Sequence, residues 1–524
     1  MAKGRSVNAA TGAGEKSRRR SSVPRGAGFV PDLKDLFQRY NKRTSGAHKR
    51  LVVFLVMAGA ALRAWMLFQP ITADEAFTWL HYGVRPVLDI IGDMKHPQNQ
   101  VLHTLLVKLS ATMFGLDAIT IRLPAFLASV LSMPLFYLYV RSMFNRYIAV
   151  ITLAMVAGSA SLIEYGSVAN GHAIVWFCMV LALVLGRHFT KENNPVSAVG
   201  MGFMLALGMW ASPDGLYPAL MVLLWSLFHL IFNHSDSLPA RLQFWFAGFV
   251  VFLVATLLLY APIINNHGLL QLFLHDSFPD LSWKRFKLVH TEGTMALWFH
   301  IVDASAQWFA LLGLLGLIAA AYISQKYRIL ALAMLIGAAV PVLLMRYVPE
   351  PGTWSYTLYM LHVSTAIALF YILKLVQEKF FPKLGKRTRV AVASVVLLVA
   401  TAWPAMAFLL ATDRLLRFPE AAVMASYLDG ALDPEDRVHA DLPWEDPLLF
   451  HLMSLGWSKE VGRGMGPVGS HLFVVMDPGE EQTLASVLAV QAVPEQRLIG
   501  QELVLEQDRV KIIVGVVGPS LTAE

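Results

Sequence analysis

Long apolar runs broken by short polar gaps dominate residues 51–411. A helix needs about 20 mostly apolar residues to cross the hydrocarbon core of a bilayer. Eleven stretches meet or approach that length, near 51–68, 123–140, 147–163, 173–186, 196–211, 216–233, 243–263, 306–323, 329–345, 357–373 and 390–411. One more apolar stretch, 101–114, is short and carries His103 and Lys108, so it is expected to lie along the interface rather than to cross. Beyond residue 412 the pattern changes. Helices are expected at 419–429, 446–455 and 480–490, and strands at 437–442, 471–477, 498–505 and 510–517, which reads as a small α/β domain.

Composition agrees with the pattern. Hydrophobic residues make 56% of the 524 and charged residues only 15%, against roughly 25% in an ordinary soluble protein. The chain is therefore expected to be an α-helical polytopic membrane protein of about eleven spans with a small soluble C-terminal domain. A disulfide framework is excluded, because Cys178 is the only cysteine. It reads as a small packed residue within a span.

The net charge of +7 divides unevenly. Residues 1–50 carry 13 Lys/Arg and 3 Asp/Glu, whereas residues 412–524 carry 8 and 18. Nucleic-acid binding would need the basic charge clustered on a folded face, so no nucleic-acid partner is expected. The first 50 residues read as a disordered cytoplasmic tail without the apolar core of a signal peptide. With eleven spans and this tail inside, the inner loops collect 13 Lys/Arg and the longer outer loops 8. Making 101–114 cross would put Arg141 and Arg146 outside. The positive-inside rule thus favours eleven spans, with residues 412–524 on the exoplasmic side of the plasma (inner) membrane. Two outer loops are long, 69–122 and 264–305, and long loops on one face commonly carry function.

The first of these loops opens with Thr72-Ala73-Asp74-Glu75. Acids in a first helical turn complement the helix dipole. They also place a general base at the water boundary, and Asp74 is the candidate. Lys95, His96, Asn99 and Arg122 follow on the same side, supplying cationic and amide donors of the kind a phosphate needs, or else snorkelling at the interface. A second outer turn runs Glu164-Tyr165-Gly166-Ser167-Val168-Ala169-Asn170-Gly171-His172, in which Glu164 is either a substrate-positioning acid or a solvated carboxylate.

The acidic pair after the first span, the Lys95-His96-Pro97 step before a short helix, Phe114-Gly115 with Arg122-Leu123-Pro124, and the Tyr165-Gly166 turn come in an order that carries a resemblance. It resembles the GT-C membrane glycosyltransferases, most of all family 39, the dolichyl-phosphate-mannose protein mannosyltransferases and the aminoarabinose transferases of lipid A. The resemblance covers about residues 51–190 and implies inverting transfer of a sugar from a polyprenyl-phosphate donor. It implies that Asp74 is the catalytic aspartate, Glu75 its companion, and Lys95, His96, Pro97 and Arg122 the donor side. The relatives' arginine in the second outer turn is Asn170 here, followed by His172. Arg346, or the cluster Lys284-Arg285-Phe286-Lys287, is the candidate replacement.

A phosphate is already a good leaving group. Such an enzyme needs one base for the acceptor proton and cations for the departing phosphate. Asp74 and Glu75 are hard oxygen ligands open to a divalent cation, but no motif spacing calls for one, and no cofactor is assigned. The expected partners are the lipid-linked donor, the bilayer and a glycan, lipid or protein acceptor. The rival reading is a transporter or lipid flippase, which would place ionisable groups near the membrane midplane. Arg63 is the only charged residue inside a predicted span, and the acids cluster at one face instead. The glycine-rich run Gly462–Gly469 lacks the ending of a phosphate loop. The scattered His275, Asp276, Asp280, His290, Glu292, His300 and Asp303 match no metal spacing.

Overall fold

The computed structural model describes residues 44–96, 98–233, 237–268, 282–305, 307–382, 385–410, 417–490, 493–507 and 510–519. Most of the expected disordered tail, Pro97, and His275, Asp276 and Asp280 lie outside these residues. The membrane part begins with α1 (Gly46–Leu67), capped by Ser45, whose hydroxyl accepts from His48 N at 3.3 Å. The segment between α1 and α5 then holds α2 (Ala73–Thr78), a π-helical turn (Trp79–Gly83), α3 (Val87–Gly92) and α4 (Val101–Phe114). The bundle continues through α5 (Ala118–Met143), α6 (Arg146–Gly158), α7 (Ala160–Glu164), α8 (His172–Glu192), α9 (Pro195–Ala211), α10 (Leu216–Asn233) and α11 (Leu238–His267). It ends with α12 (Trp283–Ser305), α13 (Gln307–Ile323), α14 (Gln325–Met345), α15 (Tyr356–Phe380) and α16 (Lys386–Leu410).

Over its described residues each predicted span is helical, apart from one break in 147–163. Seven helices among the described residues are both long and apolar enough to cross a membrane: α1, α5, α8, α10 with its preceding turn, α11, α14 and α15 with its preceding turn. The remaining stretches contain shorter apolar helices. Two expectations change. Much of the predicted loop 264–305 is helical, because α11 runs on to His267 and α12 occupies 283–305. The stretch 147–163 is also not one helix, since it breaks at Ser159 between α6 and α7.

That break has a visible cause. A Cβ on Gly158 would sit 2.4 Å from Thr401 O of α16, so the absent side chain lets two backbones meet. The interrupted α6 leaves carbonyls without helical partners, and a cation near a helix C-terminus satisfies them. Arg63 of α1 is that cation. It donates to Val156 O at 3.1 Å and Ala157 O at 3.2 Å, and also to Ser129 Oγ at 2.7 Å. The one charged residue inside a predicted span is thus a fully buried cap.

The bundle core is aromatic where α5, α8, α10 and α15 meet. Phe136 packs edge-on against Tyr359 at 4.8 Å, and Tyr139 against Trp225 at 5.6 Å. Such edge-to-face pairs add about 0.5–1.5 kcal/mol to area burial.

The C-terminal region folds as α17 (Pro419–Ala431), β1 (Arg437–Ala440), α18 (Glu445–Ser454), β2 (His471–Met476), α19 (Leu484–Val490), β3 (Leu498–Gln507) and β4 (Val510–Val517). The sheet order is β1-β2-β4-β3, with β1 and β2 parallel and the other pairs antiparallel. Trp444 is fully buried and donates to Asp477 Oδ2 at 3.0 Å, so its polar atom is satisfied inside the core. This core does not stop at the domain edge. Ile71, Ala76, Trp79 and Leu80 of the segment after α1 belong to the same buried cluster as Phe418, Met424, Leu448 and Phe450. Phe418 N donates to Ile71 O at 3.2 Å, and Lys459 Nζ to Leu80 O at 2.7 Å. The C-terminal region thus seats itself on the segment that carries Asp74 and Glu75.

Candidate active site

Thr72 starts α2 with a capping box. Glu75 N donates to Thr72 Oγ1 at 3.3 Å, while Thr72 N donates back to Glu75 Oε2 at 3.0 Å. Capping turns Glu75 inward and leaves Asp74 outward. Glu75 is 1% exposed and meets the equally buried Arg122 of α5 in a two-point pair, Nε to Oε1 at 2.7 Å and Nη2 to Oε2 at 2.6 Å. Ala169 N adds a further donor at 2.7 Å. Burial alone would push the Glu75 carboxyl up. The Arg122 charge and hydrogen bonds, with those from Ala169 and Thr72, outweigh it and hold Glu75 below the ordinary carboxylate value.

Arg122 has no donor left over. Its remaining N–H groups reach Met66 O at 3.2 Å, Leu67 O at 3.1 Å, Gln69 O at 2.6 Å and Pro70 O at 2.9 Å. It therefore caps the C-terminus of α1 as Arg63 caps α6. The expectation of direct substrate contact for Glu75 and Arg122 gives way to a brace that fixes where α2 leaves the first span.

Asp74 is the opposite case. Its side chain is open to solvent and makes no hydrogen bond within the described structure. Its carboxyl is nevertheless crowded by protein. Burial, and next the Glu75 charge, raise its pKa, with His172 acting against them. An accessible group that still feels desolvation sits in a recess.

Three further turns form the walls. Gly171 N donates to Gln100 Oε1, and a Cβ on Gly171 would lie 2.3 Å from Ala211 O, so the 164–172 and 211–215 turns touch. A Cβ on Gly352 would lie 3.2 Å from His172 Nε2, which brings in the 347–355 turn. The His172 ring stands edge-on to Tyr165 at 5.7 Å. Two carboxylates come with these turns that the sequence reading passed over, Asp214 and Glu350. The pKa of Glu350 is raised by its partial burial, then by Asp74 and Asp214. Their one sequence signal is an acid beside proline in a short turn between helices, Pro213-Asp214 and Pro349-Glu350-Pro351.

The other expected residues scatter. Lys95 and His96 are exposed near α2, with His96 N donating to Tyr82 Oη at 3.2 Å and its ring edge-on to Phe77 at 5.7 Å. Asn170 Oδ1 accepts from His172 N at 3.1 Å, where α8 begins. Glu164 is neither solvated nor free for substrate: it is buried, 3.7 Å from Arg417 Nη2 at the entrance to the C-terminal region. Arg346 takes a left-handed conformation (φ 53°) at the end of α14 and stands 5.0 Å over the Trp283 ring. Lys284, Arg285 and Lys287 are exposed on the first turn of α12. Behind Glu75, His103 is fully buried with neither ring nitrogen hydrogen-bonded, and burial pushes its pKa down to about 3. Among the described residues no group of three or more His, Cys, Asp or Glu is placed to hold a metal ion.

Comparison with solved structures gives the architecture. ArnT from Cupriavidus metallidurans in the apo state superposes with a TM-score of 0.59 at 15% identity, covering 91% of this chain and all of that one. The same protein bound to undecaprenyl phosphate gives 0.55 at 14% identity, over 90% and 99% of the two chains. The archaeal oligosaccharyltransferase AglB from Archaeoglobus fulgidus, in complex with an inhibitory peptide and a dolichol-phosphate, gives 0.50 at 12% identity, over 87% and 73%. The chain has the GT-C fold. Residues 95–260 of this GT-C protein also match the dolichyl-phosphate-mannose-protein mannosyltransferase family model. No curated protein sequence matches it. The matched family and folds are those of membrane glycosyltransferases, and nothing supports the transporter reading.

Proposed function

We propose that the protein transfers a sugar from a polyprenyl-phosphate donor to a hydroxyl acceptor, with Asp74 as general base. The observation that carries this reading is the contrast between adjacent acids. Glu75 is locked into a buried ion pair, while Asp74 is solvent-open, unpaired and raised in pKa. That is the state of a group poised to take a proton. The matches to ArnT with undecaprenyl phosphate and AglB with dolichol-phosphate support the choice of donor class.

In this reading Asp74 accepts the hydroxyl proton as the acceptor oxygen attacks the anomeric carbon. The new C–O bond forms as the bond to the donor phosphate oxygen breaks, and polyprenyl phosphate leaves with the electron pair. In-line attack inverts the anomeric centre. Exposed cations near the recess, Lys95 above all, are placed to steady the leaving phosphate. The recess opens on the exoplasmic face, with the N-terminus cytoplasmic. Asp74→Asn tests the assignment. In purified protein with a polyprenyl-phosphate sugar it should lose transfer by about 10²–10⁴-fold with unchanged thermal stability, and full activity in that variant would rule out the base.

A further inference from the structure

Of the segment 71–83, only Ala73, Asp74, Phe77 and His81 reach solvent; the others are buried. Asp74, Phe77 and His81 follow one another at three- and four-residue spacing, so they form one strip leading away from the base. The strip is aromatic. Phe77 stacks on the His81 ring at 4.1 Å with 24° between planes, and His96 stands edge-on to it. The far end of the strip is polar. His81 Nε2 lies 3.4 Å from Asp446 Oδ1 of α18, and the preceding residue, Glu445, begins that helix. Glu445 is half-buried and its carboxyl makes no hydrogen bond among the described residues; burial followed by the Asp446 charge raises its pKa, with His81 and Lys459 acting against them.

We infer that the Phe77–His81 stack and the Glu445 carboxyl form a subsite for a saccharide ring of the acceptor. This rests on the proposed transfer reaction and narrows its acceptor class. The direction of the strip decides which substrate lies there. A lipid-linked donor reaches Asp74 from the bilayer at the end of α1, whereas the strip runs from Asp74 under the C-terminal region. The chemistry of the strip decides the class. Stacked rings present an apolar face to the C–H side of a pyranose, and an unpaired, partly desolvated carboxylate accepts strongly from hydroxyl groups. A serine or threonine acceptor residue has no ring with a C–H face for the stack, and a lipid tail has no hydroxyl for Glu445.

The test uses the full chain in detergent micelles against an array of immobilised mono- to tetrasaccharides and, in parallel, an array of serine- and threonine-containing peptides. Undecaprenyl phosphate binding is followed by native mass spectrometry. Saccharide retention should fall about fivefold to tenfold in Phe77→Leu and in Glu445→Gln, with undecaprenyl phosphate binding unchanged in both. Glu445→Gln is isosteric and decides the matter if Phe77→Leu melts early. Absence of saccharide retention in the wild type, undiminished retention in Glu445→Gln, or retention of peptides instead would overturn the subsite. Failure of the wild type to bind undecaprenyl phosphate would count against the donor assignment, not the subsite.

Discussion

Replacing Arg122 with methionine keeps side-chain bulk but removes every partner of the Glu75 carboxylate that carries charge. The pair is 1% and 0% exposed at its side chains, so solvent does not compensate the stranded carboxylate. Removing one member of a buried pair costs about 3–5 kcal/mol. The four backbone carbonyls of residues 66, 67, 69 and 70 also lose their donor, at about 1–3 kcal/mol for each that stays buried and unpaired. Gln69 and Pro70 are only partly buried, so the lower part of the combined range is expected, about 4–6 kcal/mol. Glu75→Gln with Arg122→Met should recover part of that loss, because the double variant strands no charge. The assay is thermal unfolding of the four proteins in one detergent, paired with donor KM on whatever remains folded. A brace predicts a large fall in the melting midpoint of Arg122→Met, partial recovery in the double variant and an unaltered donor KM. An unaltered midpoint with a sharply raised donor KM would instead make Arg122 a phosphate ligand and refute the structural reasoning.

The remaining predictions follow from the same geometry. A base must be ionised to act, and the pKa of Asp74 is raised by burial and Glu75. The acid limb of kcat/KM should therefore lie above the ordinary aspartate value and vanish from the residual activity of Asp74→Asn, which a pH–rate profile reads directly. The sign for stability is opposite. The folded state holds the Asp74 proton more tightly than the unfolded chain, so the stabilisation is complete below the unfolded pKa and is lost as pH rises through the folded one. Arg417→Met removes the guanidinium 3.7 Å from the buried Glu164 at the entrance to the C-terminal region, and limited proteolysis should then separate that region from the membrane part sooner than in the wild type. A C-terminal alkaline phosphatase fusion should be active and a C-terminal green fluorescent protein fusion dark if residues 412–524 face the exoplasm, and the reverse pattern would invert the topology.

Hydropathy and charge placed the helices because both report on short-range physics. A bilayer span must be a long apolar helix that satisfies its own backbone, so each predicted stretch was readable from its own residues. Alternation and turn residues likewise located the four strands of the C-terminal sheet to within a few positions. Asp74 was legible for a similar reason: an acid immediately beyond a span sits where water and lipid meet. The roles of its neighbours were not legible, because they depend on partners far along the chain. Arg122 and Glu75 are 47 positions apart, and whether a guanidinium meets substrate phosphate or its own backbone is set by the turn at residues 66–70. Glu164 reads equally as a substrate-positioning acid or a solvated carboxylate until Arg417 is folded beside it. Asp214 and Glu350 look like ordinary turn acids until three turns converge on Asp74. Composition separated residues 412–524 from the membrane part, yet packing joined Phe418 and Leu448 to Trp79 and Leu80 in one core. The sequence alone thus determined a polytopic helical bundle with an acid at its outer edge. Tertiary structure decided which acid is braced and which is free, because burial and pairing are properties of neighbours in space and not in sequence.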